Sequence, residues 1–419
     1  MGKMSKIEAE IRQLYEEEGF PDIIRNEGLR EVSNGFEKRV EEINGEIKDV
    51  DLRMANKVRY RLCDILFIAF AAMICQVKSY SHMAVFAEME EEWLRQYTRL
   101  PEGRTPSRDT FRRVLSMLRP EFLKSTFQAV ISRLLRESDP SMDTSHVAMD
   151  GKSVTGYYTH SGNKILHSVS LWCSRLGLSM AVAATKKTGK KEVGEIEVAK
   201  ELLKVFDLKR KVLTADAGFC YKIIAEAVVA AGGDWIFALK GNQKNAYCAA
   251  KEMFPDDKSE DSHTTFNHGH GRDEIRTYQT RKIPEKFTGE KGWKNVRSFV
   301  KVTSTRKIKD KTSVTIRYYI TSLPPENRLA IADYIRSHWS IENNLHWRLD
   351  LVYREDAERS RTGYGPENLL IFRRAALSAL NTYGRVMHLD HVPLRAFLSR
   401  KLSSKIIETF LNITEKRIE

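Results

Sequence analysis

Three carboxylates stand at positions where side chains of this type do chemistry. Asp150 closes the short apolar run His146-Val147-Ala148-Met149, and Asp216 closes Val212-Leu213-Thr214-Ala215. Both runs read as strands, and in an open α/β sheet strand ends are where side chains converge on a ligand. One acid there is an ordinary turn former; two suggest a shared site. Glu342 adds a third from a helix predicted over 327–351. Ile335, Leu345 and Leu349 stand at −7, +3 and +7 from it, so the periodicity predicts a carboxylate on the core-facing stripe. Such a group is costly to bury unless it is paired or binds metal. An ion pair with an arginine of a neighbouring helix is the structural alternative. Three acids at one point are all oxygen donors, the set that suits Mg²⁺ or Mn²⁺. Two such ions ~3.5–4 Å apart can activate a hydroxyl and stabilise the leaving oxygen in an in-line phosphoryl displacement. His338 and His346 flank Glu342 at −4 and +4, which makes a His-Glu-His metal face conceivable, although the spacing is not that of the HExxH zinc proteases. His268-Gly269-His270 is a weaker metal signal.

The charge around these acids points to a polyanion. The 419 residues carry 69 Lys+Arg against 56 Asp+Glu, a net charge of +13. Residues 1–50 are acidic, with 8 basic and 13 acidic side chains, so the remainder holds 61 basic against 43 acidic. A basic body around a metal-binding triad makes a DNA phosphodiester the natural substrate, because neutralised phosphates release counterions. No apolar run reaches the ~18 residues of a membrane span, and the first residues lack a secretory signal. The five cysteines are odd in number with no CxxC spacing. They read as reduced thiols of a cytoplasmic protein, against a secreted or zinc-ribbon one.

The elements that position the acids follow from periodicity. Residues 58–136 read as helices, the first over 62–77, then 81–97, and one capped by Ser107 and running to Leu118. That last helix carries Arg108, Arg112 and Arg113, a candidate DNA-contacting face or a solvated surface. Near 146 the pattern turns to strands. Leu166–Cys173 and Leu178–Thr185 alternate around Arg175-Leu176-Gly177 as a hairpin. Helix 195–206, strand 211–216, helix 221–231 and strand 234–239 form a βαβ rhythm. Polar residues over 254–273 predict a loop. Strands over 274–283, 296–305 and 312–322 predict a β-rich insertion before helix 327–351. Helix 367–383 and a basic helical tail over 395–417 end the chain.

Several stretches in this order resemble the DDE transposases of bacterial insertion sequences, in the group that includes the H-repeat-associated proteins. They are MDGKSVTG (149–156), LTADAGFCYK (213–222), FALKGNQ (237–243), HGR (270–272), HWSIENNLHWRLD (338–350), YRED (353–356) and PENLLIFRRAALS (366–378). EEWLRQY and TPSRDTFRRVL, within 50–140, resemble the helical domain that precedes the catalytic core in this group. The resemblance implies an α/β fold: an RNase H-like catalytic core over 145–365 with a β-rich insertion at about 254–325. A helical N-terminal domain over 50–140 would precede it and a C-terminal helical region over 366–419 follow it. Residues 1–49, an acidic helical extension, lie outside the resemblance. The family's catalytic and metal-binding acids fall on Asp150, Asp216 and Glu342, which would hold two Mg²⁺ (Mn²⁺ substituting). They would cut double-stranded DNA at element ends and join the 3′-hydroxyl to target DNA. The superfamily's Tyr, Arg and Lys around the Glu fall on Ile335, His338 and Leu349 here, with Tyr334 and Arg348 one residue off. Arg336, His338 and Arg348 are therefore the phosphate-gripping candidates, together with Lys240 and Arg272. Trp293 is a candidate for base stacking or a packed core residue. The family reading implies a homodimer or higher assembly on DNA. The alternatives left open are a DNA-binding remnant without transposition activity, a nuclease of the same fold, and a zinc hydrolase built on His338, Glu342 and His346.

Overall fold

The computed structural model describes residues 51–411 except 138–144, 159–164, 186, 189–190, 193, 205, 256–261, 270, 290–291, 359 and 388–390. The acidic extension 1–49, His270 of the HGR motif and the end of the tail lie outside the described residues.

An apolar helix organises the N-terminal part. α1 (Leu62–Ile74) has one charged side chain, Asp64, and no residue more than 4% exposed. A helix apolar on all sides must sit inside a core. Around it stand α2 (Tyr80–Met89), α3 (Glu91–Leu94), α4 (Arg108–Met117) and α5 (Pro120–Glu137). α4 begins as its sequence predicts: the Ser107 hydroxyl accepts the Thr110 N–H at 3.4 Å.

The chain then builds a sheet. β1 (His146–Tyr158), β2 (Ile165–Cys173) and β3 (Leu178–Ala184) form an antiparallel meander, followed by the minor pair β4 (Lys187–Thr188) and β5 (Lys191–Glu192). Next come α6 (Glu195–Lys204), β6 (Val212–Ala215), α7 (Lys222–Ala230), β7 (Asp234–Leu239) and α8 (Lys244–Glu252). β1, β6 and β7 run parallel, and every residue of β6 is buried, as a strand covered on both faces requires. Four longer strands complete the sheet: β8 (Ser262–Gly269), β9 (Arg272–Lys282), β10 (Ser298–Ile308) and β11 (Lys311–Thr321). The order is β3-β2-β1-β6-β7-β11-β10-β9-β8, nine strands in one sheet.

One expectation needs correction here. The polar stretch over 254–273 is a loop only in part, because it contains β8. Its Thr, His and Asn gave no apolar alternation, yet the strand pairs with β9 along its whole length. The strands of the β-rich stretch continue the same sheet: β11 pairs antiparallel with β7, placing Ile320 opposite Phe237.

Helices cover both faces. α6, α7 and α8 pack Val198, Leu202, Ile224, Val228 and Ala249 against Leu213, Trp235 and Phe237, and Trp293 is 3% exposed within this layer with its ring 5.7 Å from that of Trp235. α9 (Arg328–His338) lays Ile331, Ala332 and Ile335 on Val212, Ile236, Val300 and Val302 of the opposite face. α10 (Trp347–Tyr353), α11 (Gly365–Val386), α12 (Val392–Leu398) and α13 (Arg400–Leu411) then join α1–α5 in a single cluster that includes Leu349, Leu369, Phe372, Ile407 and Phe410. The first and last helices of the described chain thus share one core. Among the described residues no helix is long and apolar enough to cross a membrane.

Inside the contact between α11 and the sheet lies a charged pair. Arg374 and Glu355 approach to 2.9 Å with side chains 2% and 0% exposed, and Arg374 also donates to Ser168 and Ser170 of β2 at 3.3 Å. Removing one partner leaves a buried charge unpaired. Arg374→Leu should therefore lower stability by about 3–5 kcal/mol in urea unfolding, and removing both charges (Glu355→Leu with Arg374→Leu) should restore much of the loss.

Candidate active site

Strand pairing sets the first two acids side by side. Met149 opposite Ala215 is the last pair between β1 and β6, so Asp150 and Asp216 leave that pairing at the same level of adjacent parallel strands. β1 does not end at Asp150 as its sequence suggested. It runs on beside β2, with Asp150 opposite Ser170, and what ends is only its parallel neighbour. The Asp150 carboxylate accepts the Gly151 N–H at 2.9 Å, and the Asp216 carboxylate accepts the Gly218 N–H at 2.8 Å. Asp150 is 16% exposed. Burial first, and then the charge of Asp216, push its pKa up to about 7 against the pull of the Gly151 N–H; Glu342 and Glu195 add to the rise.

Glu342 reaches this cluster, but from another position on its helix. Ile335, Leu345 and Leu349 are buried as the periodicity predicts, whereas Glu342 is exposed and Ile341, 0% exposed, takes the core position. The cause is a π-helical turn at Glu342–His346, where the Trp347 N–H bonds the Glu342 carbonyl five residues back. The wider turn adds a residue, shifts the phase of the apolar stripe and rotates the carboxylate out of the core; such turns recur at functional sites. Burial and the charge of Asp216 raise the Glu342 pKa, while Arg317 of β11 lowers it. The Arg317 guanidinium lies 4.8 Å above the Trp339 ring.

A buried polar chain holds this helix to the sheet. His338 Nδ1 bonds the Thr214 hydroxyl at 2.9 Å, which bonds His146 Nε2 at 2.8 Å. His146 Nδ1 reaches Ser174 Oγ at 2.9 Å, to which the Ser340 hydroxyl donates at 2.7 Å. Burial pushes the His338 pKa down to about 4, so the ring is neutral near pH 7. His346 lies with Nδ1 3.4 Å from Asp150 Oδ2, and burial followed by the charges of Arg374 and Lys152 pushes its pKa down to about 3. It too is neutral, so the contact with Asp150 is polar rather than ionic. The two histidines therefore face inward while Glu342 faces out, and they do not form a common metal face with it.

The basic candidates divide by place. Lys240 is exposed and directly follows β7, at the same end of the parallel strands as Asp150 and Asp216. Arg336 is exposed on α9, close enough to Arg276 of β9 for the two charges to interact. Arg272 opens β9 at the outer end of the sheet, opposite Ile308. Arg348 is turned away from the acids, donating to Asn381 Oδ1 at 2.6 Å in a groove with Trp347, Leu351 and Arg385. Arg108 and Arg112 are exposed on the first turns of α4, both within reach of Asp109.

Other residues at the site escaped the sequence reading. Glu195 opens α6, where an acid looks like an ordinary helix start, yet its Oε1 lies 3.0 Å from where a Cβ on Gly151 would be. Lys152 of β1, 9% exposed, donates to Asp350 at 2.7 Å and to Asp356 at 3.4 Å, tying three of the sequence motifs together. Asn242 and Gln243 donate to the Ala217 and Cys220 carbonyls at 2.7 and 2.8 Å, fixing the loop after Asp216. Among the described residues no three His, Cys, Asp or Glu side chains are gathered into a ready ligand set. The donor chemistry nonetheless fits a hard divalent cation: all three groups are carboxylates, and burial together with the charge of Asp216 raises the pKa of Asp150 and of Glu342, which a cation would offset.

Known proteins share this chain's pattern. The family model described as "Transposase DDE domain" matches residues 141–379, and the model described as "DDE_Tnp_1-associated" matches residues 46–131. YbfL of Escherichia coli (strain K12) is 35% identical over 344 residues, covering 79% of this chain and 87% of that protein. The "H repeat-associated putative transposase YhhI" of the same organism is 34% identical with the same coverage. The cryo-EM structure of the piggyBac transposase synaptic complex with hairpin DNA aligns with 94% of this chain and 83% of that one at 13% identity and a TM-score of 0.42, too low to carry an argument.

The electrostatics of Asp150 make a prediction without any substrate. A carboxyl whose folded pKa is raised to about 7 destabilises the metal-free fold as pH rises from about 4 to 7, because the unfolded chain releases its proton first. In EDTA at pH 8, Asp150→Asn should melt above wild type, by up to a few kcal/mol. The gain should vanish near pH 4. Adding Mg²⁺ or Mn²⁺ should raise the wild-type melting temperature and leave the variant's nearly unchanged. Equal pH profiles for the two proteins would show that Asp150 is not strained by its neighbours.

Proposed function

The chain belongs to the transposase DDE domain family, and from that premise we propose that it is an insertion-sequence transposase that cuts DNA at the element's ends and joins the freed 3′-hydroxyl to target DNA. One observation carries the reading: β1 and β6 deliver Asp150 and Asp216 side by side, with Glu342 near enough for its charge to act on Asp150 and for that of Asp216 to act on it. The strand order, three antiparallel strands followed by two parallel ones, supports an RNase H-like core with β8–β11 as its insertion.

Asp150, Asp216 and Glu342 would hold two Mg²⁺, with Mn²⁺ substituting. Bound there, the ions would sharpen a water or 3′-hydroxyl as nucleophile and offset charge on the leaving oxygen. The chain's own groups do the rest. The Gly151 and Gly218 N–H groups orient the two Asp carboxylates, and the His338–Thr214–His146 chain holds the Glu342 helix to β6. Lys240, exposed just after β7, would take a phosphate beside the acids, and Arg317 supplies positive charge next to Glu342. Arg108 and Arg112 of the helical region offer a further exposed contact for double-stranded DNA. The protein would act in the bacterial cytoplasm, as a homodimer or larger assembly on DNA.

The test is an assay on linear DNA carrying the element's own flanking ends, in Mg²⁺ or EDTA, with wild type and Glu342→Gln. Wild type should nick the ends in Mg²⁺ only and yield joined products. The variant should fold and bind the ends but lose cleavage by on the order of 10²–10³-fold, the range for removing one preorganised electrostatic group. Cleavage without joining would make the chain a nuclease of the same fold. End binding without cleavage by well-folded wild type would make it a DNA-binding remnant.

A further inference from the structure

The two edges of the nine-stranded sheet are finished differently. β3, at one edge, is mostly buried, in contact with α5, α6 and α11. β8, at the other, has no residue in the buried class, and among the described residues no strand pairs with its outer side. Proteins that leave a strand edge open usually blunt it with lysine, other charges, proline or a bulge. β8 reads Ser-His-Thr-Thr-Phe-Asn-His-Gly, without Lys, Arg, Asp, Glu or Pro, and it pairs with β9 through eight residues without a register shift. In a chain of net charge +13, this is a strand without Lys, Arg, Asp or Glu presented to solvent, its His268 paired with Asp273 of β9.

One face beside that edge is apolar as well. Phe266 is opposite Ile275, which is opposite Thr305, which is opposite Val314, so the four form a row on one face. Phe266, Ile275 and Val314 are 74%, 40% and 61% exposed, and Ile316 in the next row on that face is 45% exposed. α9 lies against the opposite face through Tyr278 and Val302.

We propose that β8 is the pairing edge for a second copy of this chain, joining two sheets antiparallel around a two-fold axis. The inference concerns the assembly named in the proposed function but draws on the edge strand alone. Two copies bring together identical edges that carry no Lys, Arg, Asp or Glu, so in a chain of net charge +13 the paired strands themselves set no like charges opposite one another. Symmetry also limits the register. A two-fold axis normal to the sheet keeps like faces together, so the pairing must centre on a residue rather than between two, since a one-residue slip would exchange the faces. Centring on Phe266 sets it opposite its counterpart as an aromatic cross-strand pair and makes the apolar face continuous across both copies. A pairing of seven residues, 263–269, is a small interface of the transient class, with a dissociation constant on the order of micromolar.

The experiment uses the full chain without DNA or metal, so its failure leaves the catalytic reading untouched. Sedimentation across a concentration series should show a monomer–dimer equilibrium for wild type. Phe266→Lys should weaken it at least tenfold with an unchanged circular dichroism spectrum. Cross-linking fixes the register in a Cys248→Ser background, Cys248 being the exposed native cysteine. Phe266→Cys should oxidise to one disulfide-linked dimer, because directly opposed Cβ atoms lie ~4.5–5.5 Å apart. Asn267→Cys, whose counterpart is two rows away, should not. Wild type that stays monomeric up to ~100 µM, as it would if β8 served an unrelated peptide, overturns the proposal. So does a dimer that Phe266→Lys leaves intact.

Discussion

The parallel pairing of β1 with β6 forces two carboxylates into neighbouring positions. Everything else at the site answers that constraint. Each Asp takes a backbone N–H from the glycine that follows it at one or two residues, Gly151 or Gly218, and His346 adds a polar contact to Asp150. This compensation is incomplete, because the Asp150 pKa is still pushed up to about 7. Positive charge near Asp150 would relieve this, because burial and the charge of Asp216 both disfavour its ionised form. Arg317 relieves Glu342 in the same sense, from a strand far along the sheet.

Holding the third acid in place takes most of the remaining sequence motifs. The Glu342 helix carries no strong cap of its own, and its π turn costs regular hydrogen bonding. It is fixed from outside: by His338 on Thr214 before the turn, and by Asp350 on Lys152 after it. Glu355 and Arg374 then lock the following segment to β2. Lys152 is two residues beyond Asp150, and Thr214 is two before Asp216, so each restraint is anchored beside a catalytic candidate. The distance between the acids is thus governed by contacts that never touch a substrate.

Much of this was legible in the sequence because it depends on local pattern. Apolar runs of four or five residues gave β1, β6 and β7, and the glycine pair at 232–233 marked the end of α7. Asp150 and Asp216 could be picked out because the pattern around each was strand followed by turn. Glu342 was singled out by a periodicity that the π turn breaks, and the buried position this predicted is not the one it takes. The signal that misled was real, since Ile335, Leu345 and Leu349 are all buried. Hydrophobic spacing alone cannot show that Ile341 replaces Glu342 in the core, because a one-residue insertion in a helix leaves no mark on composition. β8 escaped for a related reason: an open edge strand has no face that must be apolar throughout, so alternation is absent. Glu195 and Lys152 act across the fold, and their roles follow only from tertiary contacts.

The sheet also explains why the insertion bears on the site. β11 pairs with β7, which pairs with β6, so the strands beyond 262 are a rigid continuation of those that carry the acids. α9 packs on that continuation and on Val212 at once, and its far end leads directly into the turn at Glu342. A force on the outer strands therefore acts on the third acid through one packed layer. Five inter-strand steps separate β6 from β8. With β8 paired to its copy, the two Asp216 strands would stand eleven steps apart, ~50 Å along the sheet at ~4.8 Å per step and less once twist is included. An edge pairing so far from the acids would leave both clefts open while fixing their mutual orientation, because a hydrogen-bonded sheet slides or hinges far less readily than two domains on a linker.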